Sequence, residues 1–305
     1  MRHEAKPEII TINLNPGLFP AYPLERTQRI RLSTLNYVTA ELFYNMIKQR
    51  TGIVLESFRL RIKDGINVAS TLGFKGIQID ATQREIAPEN ISQTGRRELK
   101  RILDMNRLCI CALRGELGAG FTNHNEFDYI IQRTKEIINL ALDLQTAIIT
   151  VQIGSIPTDQ GTTHWHALNT ALSEIGQHAE NYGCRLAVKA SYVNYSTLKD
   201  FLKSLHTDGV KVIYDPASLM TNNLDPIKGV YELHEYIVHT NLWDTRQTEE
   251  GRQIEVPIGD GIIPVEEFAS SLDSTGYYGF YVINSKTMQN PVESIKKSKE
   301  FLDRF

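Results

Sequence analysis

Residues 185–220, RLAVKASYVNYSTLKDFLKSLHTDGVKVIYDPASLM, contain two short apolar stretches separated by a helical segment. The two stretches, Arg185–Ala190 and Val210–Asp215, lack internal proline, as strands that are buried on both faces of a parallel sheet should. A strand, a helix and a second strand of this kind form a βαβ unit, in which the two strands run parallel. This part of the chain therefore predicts an α/β fold.

The same alternation of strand-like and helix-like segments continues along most of the chain, at intervals of roughly 30–40 residues. The predicted strands are Arg29–Thr34, Gly76–Asp80, Arg107–Leu113, Ala147–Ile153, Arg185–Ala190, Val210–Asp215, Tyr236–Leu242 and Gly279–Asn284. Eight βα units without a change of composition predict a single (β/α)8 TIM barrel. An open doubly wound sheet is the alternative, but no glycine-rich nucleotide fingerprint follows an early strand.

Two N-terminal segments fall outside this alternation. Residues 1–28 are expected to form a proline-rich arm, which leaves residues 29–305 for the barrel domain. Leu35–Glu56 is expected to form an unusually long first βα loop. Such loops lie on the catalytic face of a barrel and can act as lids. Contact with a second subunit is the alternative role for both segments.

Composition and charge exclude several classes of protein. The chain has 305 residues and a formal net charge of -3, so no general positive field attracts nucleic acid. No apolar run of about 18 residues is available to span a membrane. The N-terminus lacks the apolar core of a signal peptide, and three cysteines give no even set for a disulfide framework. These features predict a cytoplasmic location.

Four segments carry a resemblance to a known family: Leu72–Asp80, Val210–Met220, Ile237–Arg246 and Ile258–Asn284. In order and spacing they resemble sugar isomerases and epimerases with a xylose-isomerase-like TIM barrel, a group that includes the type IV endonucleases. The resemblance implies a divalent metal at the carboxyl ends of the strands and carboxylates that move a proton between neighbouring carbons. It is also compatible with a homodimer.

The resemblance implies four metal-ligand positions, and the sequence departs from the family at three of them. The family's Glu on strand five falls on Lys189, its His on strand seven on Asn241, and its Glu on strand eight on Asn284, whereas Asp215 on strand six is retained. A protonated lysine cannot coordinate a cation, and asparagine offers only a neutral carbonyl oxygen. The sequence therefore predicts no catalytic metal and no other cofactor.

Lys189 and Asp215 are the candidate catalytic residues. Strands five and six are neighbours in a sequential barrel, so the Lys189 ammonium is expected to pair with Asp215. In one interpretation this is only an ion pair that compensates an inherited aspartate. In the other, Lys189 is an electrophile, an acid–base group or a Schiff-base amine.

Further side chains are expected at the same mouth. The predicted substrate-binding residues are Arg114, Glu116, Gln152, His239, Asn241, Asp244, Arg246 and Asn284. The cations among them, together with Lys286, suit a phosphate or carboxylate group on a small molecule. The glycines of the turn Ile258–Gly261 are expected to allow the backbone to turn sharply, and its backbone amides are expected to be available to a ligand.

Two functions remain in competition at this point. The first is a metal-independent isomerase or epimerase, or a related lyase, that acts on a small polyhydroxylated or carbonyl-containing anion. The second is a catalytically inactive barrel that binds a sugar-like ligand or serves as a partner subunit. Endonuclease activity is disfavoured because it needs a cluster of metals whose ligands are absent from the sequence.

Overall fold

The computed structural model describes residues 9–11, 29–31, 49–117, 120–190 and 194–304. Eight parallel strands close into a barrel in which neighbours in sequence are neighbours in space and the last strand pairs with the first. The strands are β1 (Thr51–Val54), β2 (Gly76–Asp80), β3 (Cys109–Arg114), β4 (Ile148–Gly154), β5 (Arg185–Ala190), β6 (Val210–Tyr214), β7 (Ile237–Leu242) and β8 (Tyr281–Ile283). The predicted (β/α)8 barrel is thus confirmed.

Helices follow the strands and cover the outside of the barrel. They are α1 (Ile62–Thr71), α2 (Gln93–Met105), α3 (Phe127–Asp143), α4 (Thr163–Asn181), α5 (Tyr195–Ser204), α6 (Pro226–Leu233), α7 (Val265–Ser274) and α8 (Pro291–Leu302). A short helix, Pro216–Thr221, lies between β6 and α6, and a hairpin of Asp244–Gln247 with Gln253–Val256 follows β7. No helix in the described ranges is long and apolar enough to cross a membrane.

The predicted first strand is wrong. Residues 29–31 pair antiparallel with Ile9–Thr11 outside the barrel, and the barrel begins with Thr51–Val54, all four of whose residues are buried. A strand that is buried on both faces of a parallel sheet is a nearly continuous apolar run, and the sequence Arg-Ile-Arg at 29–31 is not. The segment Leu35–Glu56 is therefore not one continuous loop, because it contains β1.

Most of the proposed N-terminal arm and residues 35–48 lie outside the described residues. The boundary between arm and barrel, placed at residue 29, coincides with the start of the second strand of the small sheet and stays a prediction. The homodimer likewise stays a prediction.

Candidate functional site

A polar cavity opens where the barrel strands end. Its lining residues come from β2, β3, β4, β5, β7 and the segments just after β3 and β8, with one contribution from β6: Gln78, Arg114, Glu116, Thr150, Gln152, Lys189, Ile213, Asn241, Asn284 and Lys286. The cavity measures about 20 Å³, which is room for about one water molecule. A sugar-sized ligand therefore requires long side chains at the rim, such as Gln152 and Lys286, to move outward.

Lys189 and Asp215 form the predicted ion pair in the wall of this cavity. The Lys189 Nζ lies 2.5 Å from Asp215 Oδ2 and 3.0 Å from the Ser218 hydroxyl oxygen. The Asp215 side chain is only 3% exposed, whereas that of Lys189 is 19% exposed. The ammonium group is thus the member of the pair that a ligand can reach.

Both carboxylate oxygens of Asp215 are engaged. In addition to Lys189, Asp215 accepts hydrogen bonds from the Ser218 backbone amide at 2.8 Å and from the Trp243 indole nitrogen at 2.9 Å. Asp215 also directly precedes the short helix Pro216–Thr221, and its bond to Ser218 caps that helix. Asp215 is therefore held rigidly as the counter-ion of Lys189.

Arg114, at the end of β3, brings a second cation to the cavity. Its Nη2 donates to Asp80 Oδ2 at 2.6 Å, and its Nε is buried without a hydrogen-bond partner among the described residues. The Oδ1 atom of Asn241 is likewise buried and unpartnered within these ranges. An unsatisfied buried polar atom costs about 1–3 kcal/mol, so these two atoms in one cavity wall call for a partner, either water or a bound ligand.

Glu56 belongs to the same cluster and was missed by sequence reasoning. It follows β1, and its Oε1 accepts from the Asp80 amide at 3.0 Å and from the Gln83 side chain at 3.3 Å, while Oε2 is buried and unpartnered in the described part of the chain. Burial raises the pKa of the Glu56 carboxyl, despite the opposing field of Arg114. Correct identification of β1 would have pointed to this residue, because it follows the strand directly.

His239, predicted to bind substrate, is not among the residues that line the described cavity. It is 1% exposed, and its Nε2 lies 2.8 Å from Gln78 Oε1, while Gln78 Nε2 donates to the Thr150 hydroxyl at 3.1 Å. These three residues form a polar chain across the interior of the barrel, in which Gln78 and Thr150 reach the floor of the cavity. Burial lowers the pKa of His239 to about 3, so the ring is neutral at physiological pH.

This low pKa makes His239 a reason for the folded protein to lose stability at acidic pH. Since an unfolded histidine has a pKa of about 6.5, the unfolded chain binds more protons than the folded protein between pH 6.5 and 3, and stability falls as the pH falls. His239 alone should lower the free energy of unfolding by about 2 kcal/mol from pH 7 to pH 5. His239→Gln keeps a hydrogen-bond donor toward Gln78 but cannot be protonated in this pH range. Urea denaturation at both pH values should therefore show a smaller loss of stability between pH 7 and pH 5 in this variant than in the unmodified protein.

The control for this measurement is His206→Gln, since His206 is an exposed residue. It should leave the difference between pH 7 and pH 5 close to that of the unmodified protein. An equal loss in the His239→Gln variant and the unmodified protein would show that His239 does not cause the acid sensitivity.

Asp244, predicted to bind ligand, makes structural contacts and is not among the residues that line the described cavity. It is fully buried, and its carboxylate accepts from the amides of Thr245 at 2.8 Å, Gly259 at 3.0 Å, Gly261 at 3.1 Å and Ile263 at 3.2 Å. A methyl group on Gly261 would lie 2.1 Å from Asp244 Oδ1. The amides of this turn, expected to be available to a ligand, are thus largely committed to Asp244.

The remaining predicted site residues divide into two groups. Gln152, Glu116, Asn241 and Asn284 line the cavity, and Gln152 is in register with Lys189 on the neighbouring strand. Arg246 lies on the hairpin after β7, is exposed and is not among the lining residues. The structure therefore brings most of the predicted residues together, but not His239, Asp244 or Arg246.

The side chains at this mouth do not fit a divalent metal ion. Lys189 occupies the space beside Asp215 with a positive charge, and the neighbouring wall offers the neutral amides of Asn241 and Asn284. Hard divalent cations prefer several carboxylate or carbonyl oxygens around one point. Over the described ranges, no group of three or more His, Cys, Asp and Glu side chains could hold a metal ion.

A larger groove of about 510 Å³ lies outside the barrel, between residues 220–227 and the start of α7. Its walls include Met220, Leu224 and Ile227, and its Asp225 carboxylate caps α6 through the amides of Ile227 and Lys228. It lacks the convergence of cations and unpartnered polar atoms that marks the barrel mouth, so the mouth is the candidate functional site.

A closed eight-stranded parallel barrel with a polar cavity at the carboxyl ends of its strands belongs to the (β/α)8 class of folds. Within that class, the family of xylose isomerase-like TIM barrels matches residues 66–305. The chain belongs to this family, as its resemblance indicated. No curated protein matches the sequence significantly.

Solved structures of this kind share the fold at low sequence identity. A xylose isomerase domain protein from Planctomyces limnophilus is 18% identical, with a TM-score of 0.67 over 78% of this chain and 89% of that chain. A probable 3-DHS dehydratase, AsbF, from Bacillus anthracis is 16% identical, with a TM-score of 0.68 over 83% and 98%. A D-tagatose 3-epimerase-like protein is 19% identical, with a TM-score of 0.67 over 84% and 97%.

Proposed function

We propose that the protein is a sugar isomerase or epimerase-like enzyme that acts, without a metal ion, on a small polyhydroxylated or carbonyl-containing anion. One observation carries this proposal: Lys189, Arg114 and Lys286 converge on one cavity whose other polar lining residues are mostly neutral amides and a hydroxyl. Cations suit a phosphate or carboxylate group, and amides suit hydroxyl groups. The names of two structural neighbours, a dehydratase and an epimerase, denote chemistry of a related kind.

In the proposed reaction, Lys189 performs the work of an electrophile. Its ammonium group donates a hydrogen bond or a proton to a substrate carbonyl oxygen, which stabilises the enolate or enol formed when the neighbouring C–H bond breaks. Asp215, both of whose oxygens accept hydrogen bonds, balances the charge of Lys189 and fixes its position. The carbon-bound proton passes to Glu116, the carboxylate among the described lining residues, and returns to a neighbouring carbon.

A catalytically inactive ligand-binding barrel is the second candidate, and the same wall provides an observation in its favour. Asn241 and Asn284 are polar but cannot transfer protons, and both oxygens of Asp215 already accept hydrogen bonds. A barrel that has kept its ligand site and lost its chemistry would have these properties. Such a protein would bind the same class of ligand without converting it.

The two functions are separated by measuring binding and proton exchange on the same compounds. Sugar phosphates and sugar acids that raise the Tm are incubated with the protein in D2O, and 1H NMR follows the loss of C–H signals. We expect exchange at a carbon next to a carbonyl group, and we expect it to persist after treatment with EDTA. Binding without exchange would favour the inactive barrel, and loss of exchange with EDTA would contradict metal independence.

A further inference from the structure

The carboxylate of Glu255 lies in a cluster of hydrogen-bond donors on the loop after β8. The Lys286 amide nitrogen lies 3.1 Å from both of its oxygens, and the Thr287 amide and hydroxyl groups donate to Oε2 at 2.6 Å and 2.7 Å. Two successive backbone N–H groups and a hydroxyl thus point at one anionic group. Three donors in this arrangement can together hold one oxyanion.

This site adjoins the cavity at the barrel mouth. The Lys286 side chain lines that cavity, as does Asn284, and consecutive Cα atoms are about 3.8 Å apart. The Nη2 atom of Arg59 donates to the Lys286 carbonyl at 2.8 Å, which adds a second cation to the same loop. An anionic group held by these amides would therefore lie beside the candidate ligand site in a positive field.

The carboxylate that occupies this site comes from a part of the chain distant from the loop that supplies the donors. Glu255 lies on the second strand of the hairpin that follows β7, opposite Thr245, and its bonds to this loop are solvent-exposed. A carboxylate delivered from an exposed hairpin can be replaced by an external anion without unfolding of the barrel. The hairpin is held against the loop through this side chain.

We propose that the amides of Lys286 and Thr287, with the Thr287 hydroxyl group, form a phosphate-binding subsite that Glu255 occupies until a ligand phosphate displaces it. The inference deepens the proposed function, since it assigns a place to the anionic group of the substrate. Its test requires neither the substrate nor turnover, so its failure is distinguishable from failure of the proposed function.

The experiment measures binding of inorganic phosphate by isothermal titration calorimetry. Because a tethered carboxylate competes at a high effective concentration, Glu255→Ala should lower the Kd for phosphate at least about ten-fold relative to the unmodified protein. Glu249→Ala removes an equal charge from the exposed turn of the same hairpin, so it should leave the Kd near that of the unmodified protein. Glu255→Gln, which keeps the side-chain size and removes the charge, should also lower the Kd for phosphate.

A second substitution identifies the site at which any gain in phosphate affinity arises. Thr287→Val in the Glu255→Ala background should return the Kd toward that of the unmodified protein, because it removes the hydroxyl donor. The proposal is overturned if neither Glu255 variant binds phosphate more tightly than the Glu249→Ala control, or if the gain survives Thr287→Val unchanged. Circular dichroism of each variant establishes that folded protein is being compared.

Discussion

Replacing Lys189 by methionine should lower proton exchange or turnover by about 10²- to 10⁴-fold, the usual contribution of a positioned acid. The reason is that the Nζ atom is the charged group of the Lys189–Asp215 pair that faces the cavity. The same change should destabilise the fold by about 3 kcal/mol, because it leaves the buried Asp215 carboxylate without its cation. NMR exchange in D2O measures the first effect, and urea denaturation measures the second.

The double variant Lys189→Met with Asp215→Asn separates the two effects. An asparagine at position 215 can still accept from Ser218 and Trp243 but carries no charge, so stability should largely return while exchange does not. If the single variant retains most of its exchange activity, Lys189 is only part of a structural ion pair. If the double variant is no more stable than the single one, uncompensated charge is not the cause of the loss.

The barrel and the Lys189–Asp215 pair could both be predicted because each follows from local pattern and sequential order. Most strands are apolar runs flanked by helical periodicity, and β5 and β6 are adjacent in any sequential barrel. The first strand could not be found in this way. Its four residues, TGIV, begin with a threonine and a glycine and are too short for a periodic signal, whereas the predicted strand Arg29–Thr34 alternates polar residues with Ile30 and Leu32.

The site was predicted less completely because a strand pattern gives the direction of a side chain but not its depth. His239 and Asn241 share a face of β7, yet His239 lies deeper and bonds to Gln78, while Asn241 reaches the cavity. The partners of Asp244 are mostly amides from a turn 15 to 19 residues further along the chain. No local feature of the sequence indicates that contact, so these hydrogen bonds of Asp244 could not be predicted.

Replacing Asp244 by alanine should lower the free energy of unfolding by about 3–5 kcal/mol, since it leaves several buried amides without an acceptor. Its oxygens are divided between them: Oδ1 accepts from Thr245 and Ile263, and Oδ2 accepts from Gly259 and Gly261. Asp244→Asn should lower the free energy of unfolding by less than Asp244→Ala does, because one side-chain oxygen still accepts from two amides. It should not be neutral, because the new NH2 group faces the other two amide donors. Urea denaturation of the three proteins gives the comparison.

Asp260→Ala is the matched control, because Asp260 is an exposed carboxylate in the same turn. Surface substitutions of this kind usually change stability by less than about 0.5 kcal/mol. A structural role also predicts that the Asp244→Asn protein, once folded, binds ligand with nearly the unmodified Kd. If ligand binding is lost while stability is unchanged, Asp244 acts in recognition after all, and the bonds to the turn amides are secondary to that role.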